Sequence, residues 1–182
     1  YGVRYTAEDE AIDIPARLAE LAAYLKEETE RLGLPMPRFL MEPGRSIVAD
    51  AGMTLYTVGS VKRIPGYKQY AAVDGGMTDN PRYALYQSRY TVYHAHKSGS
   101  MERFDVVGRC CESGDIIQPD VELPGDTCRG DILAVCTTGA YNYSMASNYN
   151  RLPRPAVVML TPDRIYEAVR RETFADLTAL DL

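Results

Sequence analysis

Four short segments of this chain combine charged, hydroxyl or thiol side chains with glycines, which let a backbone come close to a bound molecule. The first is Glu42-Pro43-Gly44-Arg45, directly after the apolar run Phe39-Leu40-Met41. An arginine there offers a planar fork suited to a phosphate or a carboxylate; a tight turn with a surface arginine is the plainer alternative. The second is Asp74-Gly75-Gly76-Met77-Thr78-Asp79-Asn80-Pro81-Arg82-Tyr83-Ala84-Leu85-Tyr86. Arg82 and Tyr86 are four positions apart, so on a helical turn they share a face and aim a cation and a hydroxyl at one anion. A loop with a solvated arginine would read the same way.

The third segment, Gly108-Arg109-Cys110-Cys111-Glu112-Ser113-Gly114-Asp115, sets a thiol beside a carboxylate before a Gly-Asp turn. In an extended stretch adjacent side chains point to opposite faces, so one cysteine packs and the other faces a cavity. Two buried core cysteines remain the alternative. The fourth, Thr138 to Asn150 (TGAYNYSMASNYN), crowds three tyrosines and three asparagines into one polar aromatic loop, suited either to ligand binding or to structure.

The elements that must position these segments change character along the chain. Asp13 is a helix N-cap with Pro15 in the first turn, and Ile14, Leu18, Leu21, Leu25 and Leu32 recur at helical spacing. Gly33 closes that helix, and Pro35 and Pro37 bar its continuation. A short buried strand is expected at Phe39–Met41, making a single helix–strand unit of the kind found in an α/β barrel. From residue 52 onward β-branched and aromatic residues dominate. Strands are expected at Met53–Ile64, Tyr70–Val73, Tyr90–Ala95, Phe104–Gly108, Ile132–Thr137 and Ala156–Leu160, with Arg164–Arg171 a strand or short helix and Glu172–Leu182 a terminal helix. The fold class is therefore α+β, mainly β: residues 1–51 read as the remnant of an α/β barrel and residues 52–182 as a β-sandwich or barrel domain.

Composition narrows the possible roles. The 182 residues are 46% hydrophobic and 25% charged, as in ordinary globular proteins. A net charge of −5 argues against nucleic acid as a partner. No apolar run approaches the ~20 residues of a membrane helix, and the first residues have no apolar signal core. The four cysteines lack C-x-x-C spacing and there are only two histidines, which argues against a metal site and for free thiols in a reducing cytoplasm. Trp is absent while 14 Tyr are present, so hydroxyls accompany much of the aromatic bulk.

Together, in this order, EPGRSIVADAG, DGGMTDNPRYALY, CESGD and GAYNYSMASNYN resemble the diaminopimelate decarboxylases, and the resemblance runs from about Gly2 through Met159. That family consists of pyridoxal 5'-phosphate (PLP) enzymes in which an α/β barrel precedes a β domain. The resemblance implies lysine biosynthesis as the setting and meso-diaminopimelate as substrate, yielding L-lysine and carbon dioxide. It implies that Glu42, Pro43, Gly44 and Arg45 line the cofactor phosphate and substrate pocket, and that Arg45, Arg82 and Tyr86 bind the carboxylate at the substrate's unreactive end. It further implies that Glu112 binds the ammonium at that end, that Tyr141 reaches cofactor and substrate, and that Cys111 acts in protonation after decarboxylation. A cytoplasmic homodimer with composite sites follows from the same resemblance, with the Cys-Glu segment offered to the partner subunit. The family's cofactor lysine has no counterpart among Lys26, Lys62, Lys68 and Lys97, and its glycine-rich phosphate loop would precede Gly2. The chain is accordingly expected to be a fragment that on its own neither holds PLP covalently nor decarboxylates. Two other readings remain: a related ornithine, arginine or carboxynorspermidine decarboxylase, or a β domain without catalysis.

Overall fold

The computed structural model describes residues 1–182. Helix α1 (Ile14–Leu32) starts where Asp13 accepts from the Ala16 N–H at 2.9 Å and ends at Gly33, whose φ of 64° suits a residue without Cβ. Its apolar stripe finds no partner in this chain: none of its residues is buried, and Leu32 is 55% exposed. The strand expected at Phe39–Met41 does not form. These residues belong to no sheet and are exposed, Leu40 by 73%. A buried strand needs neighbours on its edges and faces, and nothing in this chain supplies them. Helix α2 (Arg45–Val48) follows, with Gly44 at its N-cap.

Beyond it the chain is mostly β. Strands β1 (Met53–Arg63), β2 (Gln69–Val73), β3 (Val92–His94), β4 (Met101–Val107), β5 (Ile116–Pro124) and β6 (Ile132–Cys136) form one sheet in the order β3-β6-β1-β2-β4-β5. Helix α3 (Arg82–Tyr86) interrupts between β2 and β3. All neighbouring strands are antiparallel except β2 and β4, which run parallel. The sheet curls until its ends approach: the Tyr90 N–H, just before β3, donates to the side-chain amide oxygen (Oε1) of Gln118 on β5 at 2.8 Å. Alternation fills the interior, with Tyr56 and Val58 of β1, Ala71 and Val73 of β2, and Leu133 and Val135 of β6 all pointing inward. Phe104, Val106, Ile117 and Leu123 from β4 and β5 complete this core.

Strand β5, which contains Pro119 and ends at Pro124, is absent from the sequence reading. It is tolerated because it lies at the end of the sheet order, where a missing N–H breaks no ladder. Pairing skips from Phe104–Val121 to Val106–Gln118, so Pro119 and Asp120 face Asp105 alone. That is a β-bulge with Asp120 at φ 55°, and Asp105 fills it by accepting from the Asp120 N–H at 3.0 Å. The chain ends in a separate hairpin, β7 (Val157–Leu160) with β8 (Ile165–Val169), and a short helix α4 (Phe174–Leu177) closed by a Thr173–Asp176 capping box. Arg154 ties this end to the body of the chain through Glu172, whose carboxyl it holds down at about 2.

Residues 45–52 are docked onto the sheet domain by close backbone contact. Thr138 N–H donates to the Gly52 carbonyl at 2.9 Å and Gly139 N–H to the Ala49 carbonyl at 3.1 Å. A Cβ on Gly52 would lie 2.5 Å from Gly139 Cα, and one on Gly139 would collide with the Val48 carbonyl oxygen. Gly139→Ala is therefore expected to destabilise the protein by about 1–3 kcal/mol, read as a lowered urea midpoint at unchanged slope.

Candidate functional site

The backbone contact at Gly139 places α2 beside the loop that follows β6. Gly44 has no side chain, and a Cβ there would run into the Tyr141 hydroxyl. The Arg45 guanidinium lies 5.7 Å from the centre of the Tyr141 ring and 6.0 Å from that of Tyr5. Tyr5 is itself fixed, since the Thr91 hydroxyl donates to its carbonyl at 2.9 Å and its ring meets Tyr90 edge-on at 5.3 Å. Two aromatic rings thus flank one arginine whose Nε is buried and without a hydrogen-bond partner.

Arg82 reaches the same place from the β2–α3 connection. The turn before it is built on carboxylates: Asp79 accepts from the Gly76 N–H at 2.9 Å and from the Tyr56 hydroxyl. Burial pushes the Asp79 carboxyl above its ordinary range, against the opposing pull of the Tyr56 hydroxyl bond. Burial and the neighbouring Asp79 together push the Tyr56 hydroxyl well above its own. Arg82 is only 5% exposed, yet it has no carboxylate partner. Its guanidinium meets the Ser88 hydroxyl at 3.4 Å and the Met145 sulfur at 3.9 Å, and its Nε is unpartnered. Its guanidinium lies 5.2 Å from the centre of the Tyr86 ring, as the four-residue spacing predicts. Arg45, Arg82, Tyr86, Ser88, Tyr141, Ser144 and Met145 line one cavity of about 560 Å³. Its wall holds two cations and four hydroxyls and no carboxylate, which suits an anionic group.

Cys111 and Glu112 lie elsewhere. They share a second cavity of about 450 Å³ with Tyr67, Lys68, Tyr70 and Asp105. Cys111 is exposed and adopts φ 53°, whereas Cys110 is buried. Burial, with the nearby Asp115 carboxylate, pushes the Cys110 thiol up. Glu42 and Pro43 are exposed and line neither cavity. Arg45, Arg82, Tyr86 and Tyr141 are thus brought together, while Cys111 and Glu112 are not joined to them within one copy. The sequence reading did not single out Ser144 and Met145, although both lie in a segment it quoted. Ser88 carried no signal, because its place in the cavity wall follows only from the fold around Arg82.

Lys68 is held by Asp105 at 2.6 Å and Lys97 by Asp131 at 2.7 Å; Lys26 and Lys62 are exposed on α1 and β1. No lysine lines the Arg45–Arg82 cavity.

The chain that forms this curled sheet has counterparts among known proteins. The chain belongs to the family described as pyridoxal-dependent decarboxylase, C-terminal sheet domain, which it matches over residues 11–139. It is 48% identical over 184 residues to a diaminopimelate decarboxylase of Bacillus subtilis and 44% identical over 184 residues to one of Halalkalibacterium halodurans. In both cases the comparison takes in 100% of this chain and 42% of the relative. Among solved structures, the diaminopimelate decarboxylase of M. jannaschii in complex with L-lysine superimposes with a TM-score of 0.90 at 33% identity, covering 100% of this chain and 41% of that one. The chain thus spans less than half the length of these relatives.

Peptide mapping after brief iodoacetamide treatment is expected to find Cys111 modified at least about tenfold faster than Cys110, because only Cys111 presents an accessible sulfur.

Proposed function

We propose that this chain supplies the substrate-gripping part of a PLP-dependent diaminopimelate decarboxylase, which converts meso-2,6-diaminopimelate to L-lysine and carbon dioxide. The observation that carries this reading is Arg82: a buried guanidinium with no carboxylate partner, facing a cavity it shares with Arg45, Tyr86 and Tyr141. A buried cation left unpaired costs several kcal/mol, and a ligand carboxylate offsets that cost. Diaminopimelate has an amino-acid group at each end. In this reading Arg45, Arg82 and Tyr86 take the carboxylate of the unreactive end, and Glu112 takes its ammonium. Cys111 is the proton-returning group in the same reading.

The residues present fit an anionic cofactor as well. Gly44 lets the Tyr141 hydroxyl close against the backbone before α2, and Arg45 beside it holds an unpartnered Nε. We assign Glu42, Pro43, Gly44, Arg45 and Tyr141 to the cofactor and substrate side of the complete enzyme. PLP supplies the electron sink for decarboxylation; the side chains of this chain bind, orient and return a proton. The covalent anchor for PLP lies outside it, because none of its lysines faces the cavity.

Two further assignments complete the reading. Residues 1–51 belong to the PLP-binding barrel and residues 52–182 to the β domain. The exposed apolar stripe of α1 and the exposed Phe39–Met41 support this, since both suit burial against the rest of a barrel. The enzyme is a homodimer with composite sites in the cytoplasm. The separation of Cys111 and Glu112 from the arginine cavity supports the composite arrangement. Ornithine or arginine as substrate would present a cationic far end to two arginines, which disfavours that alternative.

In the complete enzyme, Arg82→Ala is expected to lower kcat/KM for meso-diaminopimelate by about 2–3 kcal/mol, roughly 30- to 150-fold, with PLP content unchanged. Steady-state kinetics and the cofactor absorbance check this; equal loss of turnover and cofactor, or turnover of ornithine in place of diaminopimelate, would count against it.

A further inference from the structure

One buried side chain to which the reading above gives no role ties the wall of the second cavity to the turn that leads to Arg82. Asp115 closes the loop that carries Cys111 and Glu112, and it is 4% exposed. One carboxylate oxygen accepts from the Met77 N–H at 2.6 Å, the other from the Cys110 N–H at 2.6 Å. Met77 lies in the turn that leads to Arg82, and Cys110 directly precedes Cys111. The Asp115 backbone adds a further tie, its carbonyl accepting from the Gly108 N–H at 2.9 Å. Two glycines make space for the carboxylate. A Cβ on Gly76 would lie 2.5 Å from Asp115 Oδ1, and one on Gly108 would collide with both carboxylate oxygens.

Hydrogen bonds from backbone amides to a carboxylate are short and strong when buried. Here they leave the loop little freedom just where Cys111 is held at φ 53°, a conformation side chains other than glycine adopt only under constraint. No other side chain accepts hydrogen bonds from both the turn before Arg82 and the Cys110–Cys111 segment.

We propose that Asp115 is a positioning residue that fixes Cys111 and Glu112 relative to the turn bearing Arg82, so that one carboxylate sets the geometry of both contributions this chain makes to catalysis. It lines the cavity of Cys111 and Glu112, but both of its carboxylate oxygens are taken by backbone amides. It acts through the backbone amides of Met77 and Cys110. The kinetic consequence rests on the proposed diaminopimelate decarboxylase activity; the geometric claim does not.

The test uses the complete, PLP-loaded enzyme and Asp115→Asn, which keeps the shape but turns one acceptor into a donor facing an N–H. Per PLP-loaded site, kcat is expected to fall about tenfold or more and KM for meso-diaminopimelate to rise several-fold. A purely structural role would lower only the number of loaded sites. Independently of turnover, the iodoacetamide reaction rate of Cys111 relative to the remote, exposed Cys128 is expected to change at least about fivefold. If Asp115→Asn does not fold, Gly108→Ala displaces the same carboxylate while leaving its charge and is expected to move both readouts in the same direction. A folded variant with kcat, KM and the Cys111:Cys128 ratio all within twofold of wild type overturns the proposal. A wild-type enzyme that does not turn over diaminopimelate would instead overturn the assigned activity, and the cysteine ratio would then decide the role of Asp115 alone.

Discussion

A guanidinium buried without a counter-charge is an expensive thing for a fold to hold, and Arg82 is such a group. Its surroundings include a methionine sulfur, a serine hydroxyl and the face of a tyrosine, none of which compensates a full charge. The protein meets that cost with rigidity in the turn before α3. Asp79 is fastened to Tyr56 and to the Gly76 amide, Asp115 to the Met77 amide, and Gly75 and Gly76 admit both by lacking side chains. The curled sheet below supplies the fixed ground: Tyr56 projects from β1 into the core, and the loop after β6 closes over the arginine from the other side.

The rest of the arrangement follows from having that turn fixed. The loop after β6 reaches across two neighbours, with the Ser147 N–H donating to the Thr78 carbonyl at 2.8 Å and the Asn150 amide to the Cys110 carbonyl at 2.7 Å. It therefore links the arginine cavity, which it lines with Tyr141, Ser144 and Met145, to the segment that presents Cys111 and Glu112 at a second cavity. A single copy holds both contributions in fixed relation without bringing them to one point. Two such copies related by a twofold axis could each lend the Cys111 side to the other's Arg82 side, since a twofold interface makes every contact reciprocal.

Much of this is legible in the residues. The limits of α1 were set by Asp13 and Gly33, and β1, β2 and β6 by alternating β-branched and aromatic residues between turn signals. The spacing of Arg82 and Tyr86 offered a shared helical face, although a loop with a solvated arginine read the same way. What was hidden depended on partners distant in sequence. Strand β5 was masked by Pro119, which only its edge position and a bulge facing Asp105 make harmless. Phe39–Met41 looks like a strand by composition but finds no sheet to join in this chain. The choice between Cys110 and Cys111 could not be made from alternation, because the segment turns through a left-handed residue rather than running extended. Asp115 gave no local sign of its importance, since its partners lie five and thirty-eight residues away.

The central claim is that Arg82 and Cys111 of this chain act in different copies of one composite site. Mixing two inactive variants of the complete enzyme, Arg82→Ala and Cys111→Ala, and letting their subunits exchange tests it directly. In a mixed dimer one site then carries both defects and the other carries neither. The account predicts recovery of roughly a quarter of wild-type turnover at equal mixing. Activity that stays at the level of the separate variants, with subunit exchange verified, would contradict it.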